Sequence, residues 1–291
     1  MTADAIGVSA LGGYFAIAAG VIIWQAVRAP AGPMIWWLYV AERLVCGLMW
    51  RVRSLCAEGR PRRCPFPADS GALIVANHRS PADPIVLWQN HHLGTGTREI
   101  RPIHFLMARE FYNVRWLTWF YRAMRAIPVT RDGHDIAAVR TALAELKEGH
   151  WVGIFPEGGI NHGPPGLKEA NPGVAFLALN TQSPVYPVYI AGAPVGTSLV
   201  RSIFRMARTR LIYGDPIDLS PYRGQRKTPE LLGEVTELIM NTIAELGGVK
   251  YLADSSPGNG VPKRSDRPER TPASPKENNH TTCRDVTRAT R

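Results

Sequence analysis

Cysteine is scarce in this chain: Cys46, Cys56, Cys64 and Cys283 are the whole complement, at spacings that match no metal motif. That excludes the disulfide framework of a small secreted domain and suits a reducing compartment. Glycine-rich nucleotide loops are missing too. The stretch GTGT at 94–97 lacks both the lysine of a phosphate-cradling loop and the spacing of a dinucleotide fingerprint, so no cofactor is expected. His91, His92 and His162 have no carboxylate or cysteine at ligand spacing and read as surface histidines rather than a metal site. No internal repeat is present.

Formal charge is absent from Ala5 to Val27. As a helix this run would be about 34 Å long, more than the roughly 30 Å of a bilayer's hydrocarbon core. The leading MTAD offers an acid where a cleaved signal peptide carries cations, and the run is long for a buried core helix. Residues 1–30 are therefore expected to be a membrane anchor helix. At the other end, 255–291 has almost no large apolar residue among its Pro, Ser, Asn and charges. Such a segment cannot offset its ordering entropy by burial, so a disordered polar tail is expected.

Positive charge, in contrast, is plentiful. Lys and Arg outnumber Asp and Glu by 34 to 24 in 291 residues, a net charge of +10. An anionic partner follows: nucleic acid, lipid head groups or an acidic carrier protein. Nucleic acid ranks last, because the basic residues are not interleaved with aromatics in any binding motif. In 31–63, Trp36, Trp37, Tyr39 and Trp50 suit head-group depth, while Glu42 and Arg43 interrupt the segment and make it a poor span. An interfacial amphipathic helix and basic linker is expected there. Arg51, Arg53, Arg60, Arg62 and Arg63 then place the following domain on the cytoplasmic side.

Residues 64–254 read as one α/β domain. Apolar runs at 71–77, 103–108, 126–129, 151–155, 185–190 and 210–214 predict strands. Between them lie helical patterns, clearest at 135–148, where Ile136, Val139, Leu143 and Leu146 share a face and Gly149 closes the end. Thr228-Pro229 opens another, with Leu231, Val235, Leu238 and Ile239 as its buried stripe. A mixed, largely parallel sheet wrapped by helices is the expected fold.

Ligands in such folds bind where strands end. The first strand ends in Asn77-His78, with Asp83 five positions on; Arg131 follows the third strand and Pro156-Glu157-Gly158-Gly159 the fourth. A neutral imidazole can take the proton of an attacking alcohol if a carboxylate holds it in one tautomer. The bland alternative is that Asp83-Pro84 merely starts a helix, as N-cap and first helical residue.

NHRSPADP resembles the N-H-x4-D signature of the glycerolipid (lysophosphatidate) acyltransferases. AIPVTR is similar to that family's second block, FPEGGIN to its third and VYPV to its fourth, in order over residues 71–190. The resemblance implies an acyltransferase moving a fatty acyl group from a thioester, on coenzyme A or acyl carrier protein, to a lysophospholipid hydroxyl. His78 would be the base and Asp83 its partner, with Asn77, Arg131, Glu157, Gly158 and Pro187 lining the acceptor site. The expected partners are membrane lipid, a lysophospholipid acceptor and a thiol carrier. Two positions depart from the pattern. Ala126 replaces a glycine, and Gly159-Ile160-Asn161 stands where the family has Thr-Arg-Ser. Isoleucine cannot replace a phosphate-binding arginine. Either Arg109, Lys168 or Arg131 supplies the cation, or the acceptor is a different lysolipid. A non-catalytic, membrane-anchored lipid-binding protein is the rival from another class.

Overall fold

The computed structural model describes residues 3–29, 32–88, 100–115, 117–130, 135–163, 165–196 and 198–252, with side chains described from Gly13 onward. Its organising element is β2 (Ala72–Ala76), in which every residue is buried. A strand buried on both faces needs neighbours on both edges and helices above and below, which is the situation of a central parallel strand. Ala72, Ile74 and Ala76 point into one core cluster, Leu73 and Val75 into the other.

Around it stand β1 (Arg53–Cys56), β3 (Ile103–Ala108), β4 (Ile127–Val129), β5 (Trp151–Ile154), β6 (Val185–Ala191) and β7 (Arg210–Tyr213), in the order β1-β7-β6-β2-β5-β3-β4. All neighbours pair in parallel except β6 and β7. The expected mixed, largely parallel sheet is present. β1 was not anticipated: it lies in the segment read as a linker, and its Ser54-Leu55-Cys56 has no alternation to mark it. Arg62 beside it is committed to the domain, its guanidinium 2.8 Å from the Asp215 carboxylate and 3.3 Å from the Tyr213 carbonyl.

One face is covered by α6 (Ile136–Lys147), α7 (Gly173–Asn180) and α9 (Pro229–Gly247). Asp135 caps α6, accepting from Ala138 N at 2.9 Å; Thr228 caps α9, accepting from Leu231 N, and Gly248 ends it at φ 60°. In α6 the buried stripe is Ala138, Ala142 and Leu146, and Ile136 is exposed. The expected stripe is thus rotated, because small alanines let the helix lie closer to the sheet. In α9, Val235, Ile239, Met240 and Ile243 are fully buried; removing each from water stabilises the fold by about 1.5–3 kcal/mol.

The other face carries α3 (Asp83–Trp88), α2 (Pro33–Leu44) and the π-helical turn Val45–Met49. In 31–63 this changes the expected placement of two of the four aromatics. Tyr39 and Trp50 are buried in the domain core, with Trp50 Nε1 donating to the Ser202 carbonyl at 3.0 Å. The large apolar side chains of Met34, Trp37, Leu44 and Leu48 remain exposed. The helix expected over 5–27 forms as α1 (Ala3–Val27). As a membrane span it has no support here: among the described residues no helix is long and apolar enough to cross a membrane, and the side chains before Gly13 lie outside them. The tail from Ala253 onward, with Cys283, also lies outside them, as do His91 and His92.

Glu42, read as an interruption, is instead buried in this core. Burial pushes its carboxyl up to about 8, against the lowering effect of the Cys46 hydrogen bond and the Arg43 charge. A carboxyl raised above its unfolded value favours the fold fully below the unfolded pKa of 4.5, and that advantage disappears as pH rises through about 8. Glu42→Gln should therefore match the parent near pH 4.5 and exceed it at pH 9, by about 4 kcal/mol or about 10 °C in Tm. Thermal melts across that range check this; a gap independent of pH would contradict it.

Candidate active site

The C-terminal ends of β2, β5 and β6 lie side by side, and the crossover order makes this a switch point of the sheet. His78 stands two residues past β2. Its Nδ1 is 2.9 Å from Asp83 Oδ2, and the same oxygen accepts from Arg79 N at 2.7 Å and Ser80 N at 2.8 Å. Asp83 is fully buried, whereas the His78 side chain keeps 16% exposure. Asp83 does open α3, as the helix-start reading has it, but its side chain is not spent as the cap. A helix N-cap accepts from amides ahead of it in its own helix; this carboxylate folds back onto the turn behind it.

Because Nδ1 carries the proton toward the carboxylate, Nε2 is left as the lone-pair nitrogen. The ring plane is set by Phe155, stacked on His78 with centroids 4.2 Å apart and planes at 16°. Phe155 in turn stacks on Phe105 at 5.5 Å. Room for Phe105 comes from its cross-strand partner Gly153, where a Cβ would sit 2.4 Å from the ring. No sequence pattern assigns a role to Phe155, Phe105 or Gly153.

Glu157 clamps this turn to the loop after β5. Its Oε1 accepts from His78 N at 2.9 Å and its Oε2 from Lys168 N at 3.2 Å. Asn161 N returns a hydrogen bond to the His78 carbonyl at 2.7 Å. Gly158 makes the reversal possible with φ +65°. A non-glycine residue there would pay about 1–2 kcal/mol for the left-handed conformation. Both carboxylate oxygens of Glu157 thus accept from backbone amides and hold the His78 turn in place.

Two further expected site residues are also structural. Asn77 is buried, its Oδ1 accepting from Ile190 N at 2.7 Å and its Nδ2 donating to the Ile190 carbonyl at 3.0 Å. It continues the β2 ladder by side chain and does not face the cleft. Pro187 pairs in register with Val75, three positions or about 10 Å below His78. Its ring packs on Gly214, where a Cβ would lie 2.7 Å away. Arg131 falls outside the described residues.

Cations do gather at this end. The Lys168 ammonium lies 3.8 Å from where a Cβ on Gly159 would stand, against the very loop that lacks the arginine. Arg109 opens α4 (Arg109–Tyr112) after β3, half exposed, with its guanidinium 3.9 Å from the Asp135 carboxylate. Nearby, Ser80 Oγ donates to the Pro194 carbonyl at 2.5 Å, which ties the histidine turn to the 194–196 loop. That loop borders a cavity of about 320 Å³ lined by His162, Val195, Gly196, Arg201 and Arg205. His162 therefore belongs to a lined cavity. Arg201 lies in α8 (Leu199–Ile203), a single turn, and Arg205 and Arg208 follow it.

A carboxylate-held imidazole at a strand end, with the Lys168 ammonium against the neighbouring loop, defines an α/β enzyme equipped for general-base attack by an alcohol. Residues 62–191 match the Acyltransferase family model. The chain is 29% identical over 181 residues to a 1-acyl-sn-glycerol-3-phosphate acyltransferase of Bacillus subtilis, covering 62% of this chain and 83% of that one. A protein of the same description from Streptococcus pneumoniae is 23% identical over 61% of each chain. An N-acylphosphatidylethanolamine synthase of Arabidopsis thaliana is 28% identical over 46% of this chain and 45% of that one. The fold matches the crystal structure of the 1-acyl-sn-glycerophosphate acyltransferase of Thermotoga maritima with a TM-score of 0.55 at 20% identity, over 79% and 89% of the two chains. These matches support the glycerolipid acyltransferase family and acyltransferase activity for this chain.

Proposed function

We propose that the enzyme transfers a fatty acyl group from a thioester to the free hydroxyl of 1-acylglycerol-3-phosphate. The observation that carries this reading is the His78–Asp83 pair with Lys168 beside the loop where the family arginine is absent. The acceptor hydroxyl gives its proton to His78 Nε2 as its oxygen attacks the thioester carbonyl. The thiolate leaves and recovers the proton from the imidazolium, which Asp83 stabilises meanwhile. No acyl-enzyme is required. Either coenzyme A or acyl carrier protein can serve as the thiol, with Arg201 and Arg205 offering charge to its phosphate.

The reading includes membrane association, which exposed apolar side chains support. Tyr14, Phe15, Ile17, Trp24 and Val27 of α1 are exposed, as are Trp37, Leu44 and Leu48. Apolar surface of this extent suits lipid contact. The domain would face the cytoplasm, with Arg51, Arg53, Arg60 and Arg63 toward the anionic leaflet. A lysophospholipid with another head group is the second reading, favoured by Ile160.

Acyl transfer in detergent, with both thiol carriers and acceptors with and without a terminal phosphate, tests the proposal. The phosphate-bearing acceptor should be preferred, and Lys168→Ala should raise its KM about 10-fold with little change in kcat. Equal rates on neutral acceptors would hand the case to the second reading.

A further inference from the structure

At the opposite end of the sheet, away from His78, three side chains meet that the acyl-transfer chemistry does not use. His104 is the second residue of β3, His150 directly precedes β5, and Glu145 lies in the last turn of α6. Glu145 Oε2 is 3.0 Å from His104 Nδ1 and 2.8 Å from His150 Nδ1, and the three atoms all lie within 4.8 Å of one another.

Hydrogen bonding leaves the cluster incomplete. The two His–Glu contacts lie at hydrogen-bond distance but in poor direction, and among the described residues His104 Nε2 has no partner. His104 is only 1% exposed. An uncompensated group of this kind costs about 1–3 kcal/mol, so a buried histidine with one nitrogen unpartnered and the other poorly paired calls for a ligand.

The backbone fixes the arrangement. Gly149, at φ +87°, turns the chain at the end of α6, and His150 N donates to the Glu145 carbonyl at 2.9 Å. That turn returns His150 over Glu145, while β3 presents His104 from the side. Tetrahedral bonds of about 2.0–2.2 Å set ligand atoms roughly 3.3–3.6 Å apart, so the two contacts of 3.0 and 2.8 Å need to open only by about half an ångström around an ion. The negative end of the α6 dipole also favours a cation here. Arg125 is near enough to act on His104 and opposes it, but Glu148, with Oε2 3.7 Å from His150 Nδ1, adds a second carboxylate within reach.

We propose that His104, Glu145 and His150 bind a divalent metal ion, with zinc the best match. Two imidazoles and one carboxylate suit zinc far better than magnesium or calcium, which prefer all-oxygen shells. Glu148 or water completes the coordination. His150 and Glu145 keep 32% and 23% side-chain exposure, which lets the ion in from solvent. Bound there, the ion staples α6 to β3 and β5, the two strands that deliver Phe105 and Phe155 to the histidine at the other end.

The test uses the full-length protein in detergent, stripped by chelator and titrated with zinc sulfate alone against a chromophoric zinc indicator. About one ion per chain should bind, the thermal midpoint should rise, and cobalt(II) in its place should show the intense visible bands of a four-coordinate site. His150→Ala, at a part-exposed position, and Glu145→Gln should each weaken zinc binding by about 100-fold and remove the midpoint shift. A wild-type chain that takes up no zinc would overturn the proposal. So would uptake that both variants retain in full.

Discussion

His78→Ala is expected to lower kcat/KM about 10³–10⁴-fold, whereas Asp83→Asn should lower it only about 10²-fold. Loss of the imidazole removes the base itself. Loss of the charge at position 83 is milder for a reason specific to this turn. Three donors, His78 Nδ1, Arg79 N and Ser80 N, converge on Oδ2. An amide at that position must keep its oxygen toward all three, since its NH₂ would face three hydrogens. The tautomer of His78 is thereby preserved, and only the electrostatic support of the imidazolium is lost. The introduced NH₂ takes the place of Oδ1, which is buried with no hydrogen-bond partner among the described residues, so some loss of stability accompanies it. Asp83→Ala, which leaves both backbone amides unpaired, should approach the His78→Ala value. Steady-state kinetics on the three variants decide the matter. Near-equal losses for Asp83→Asn and His78→Ala would mean that charge, not orientation, is the carboxylate's main contribution. A His78→Ala enzyme retaining most of its turnover would remove histidine from the reaction altogether.

Glu157→Gln should be the more damaging change to the fold. Each carboxylate oxygen of Glu157 accepts one backbone N–H, from His78 and from Lys168, and the residue is 6% exposed. Glutamine has one acceptor oxygen, so its NH₂ would be pressed against one of those amides. The expected cost is about 2–3 kcal/mol, or roughly 5–10 °C in Tm. Activity should fall by more than the folded fraction accounts for, because the clamp sets where His78 stands. Melting curves and kinetics at a temperature where the variant is fully folded separate the two effects. A variant with unchanged Tm and full activity would show that the clamp is dispensable.

The clamp illustrates a difference between a motif and its mechanics. FPEGG was legible as part of the site, but a glutamate at a strand end reads most naturally as a group that meets substrate. Its actual partners are backbone amides at positions 78 and 168, far apart in sequence. Asn77 misled in the same way: an asparagine beside the reactive histidine is in fact held by both main-chain groups of Ile190. Pro187 belongs to a recurrent strand and yet sits in register with Val75, well below the cleft.

What the sequence determined by itself was everything whose cause is local. Period-2 and continuous apolar runs marked six of the seven strands, Asp135 and Thr228 marked helix starts, and the five-residue spacing of His78 and Asp83 allowed one turn to bring them together. Only the tertiary structure could decide what depends on register between distant segments. It buried Tyr39 and Trp50 that looked interfacial, and stacked Phe155 on His78. It also gathered His104, Glu145 and His150 from a strand, a helix and a loop. The physical reason is the same throughout. Backbone preferences and spacing act over a few residues, whereas the partner of a buried polar group is chosen by how whole strands and helices pack, which no short window of sequence records.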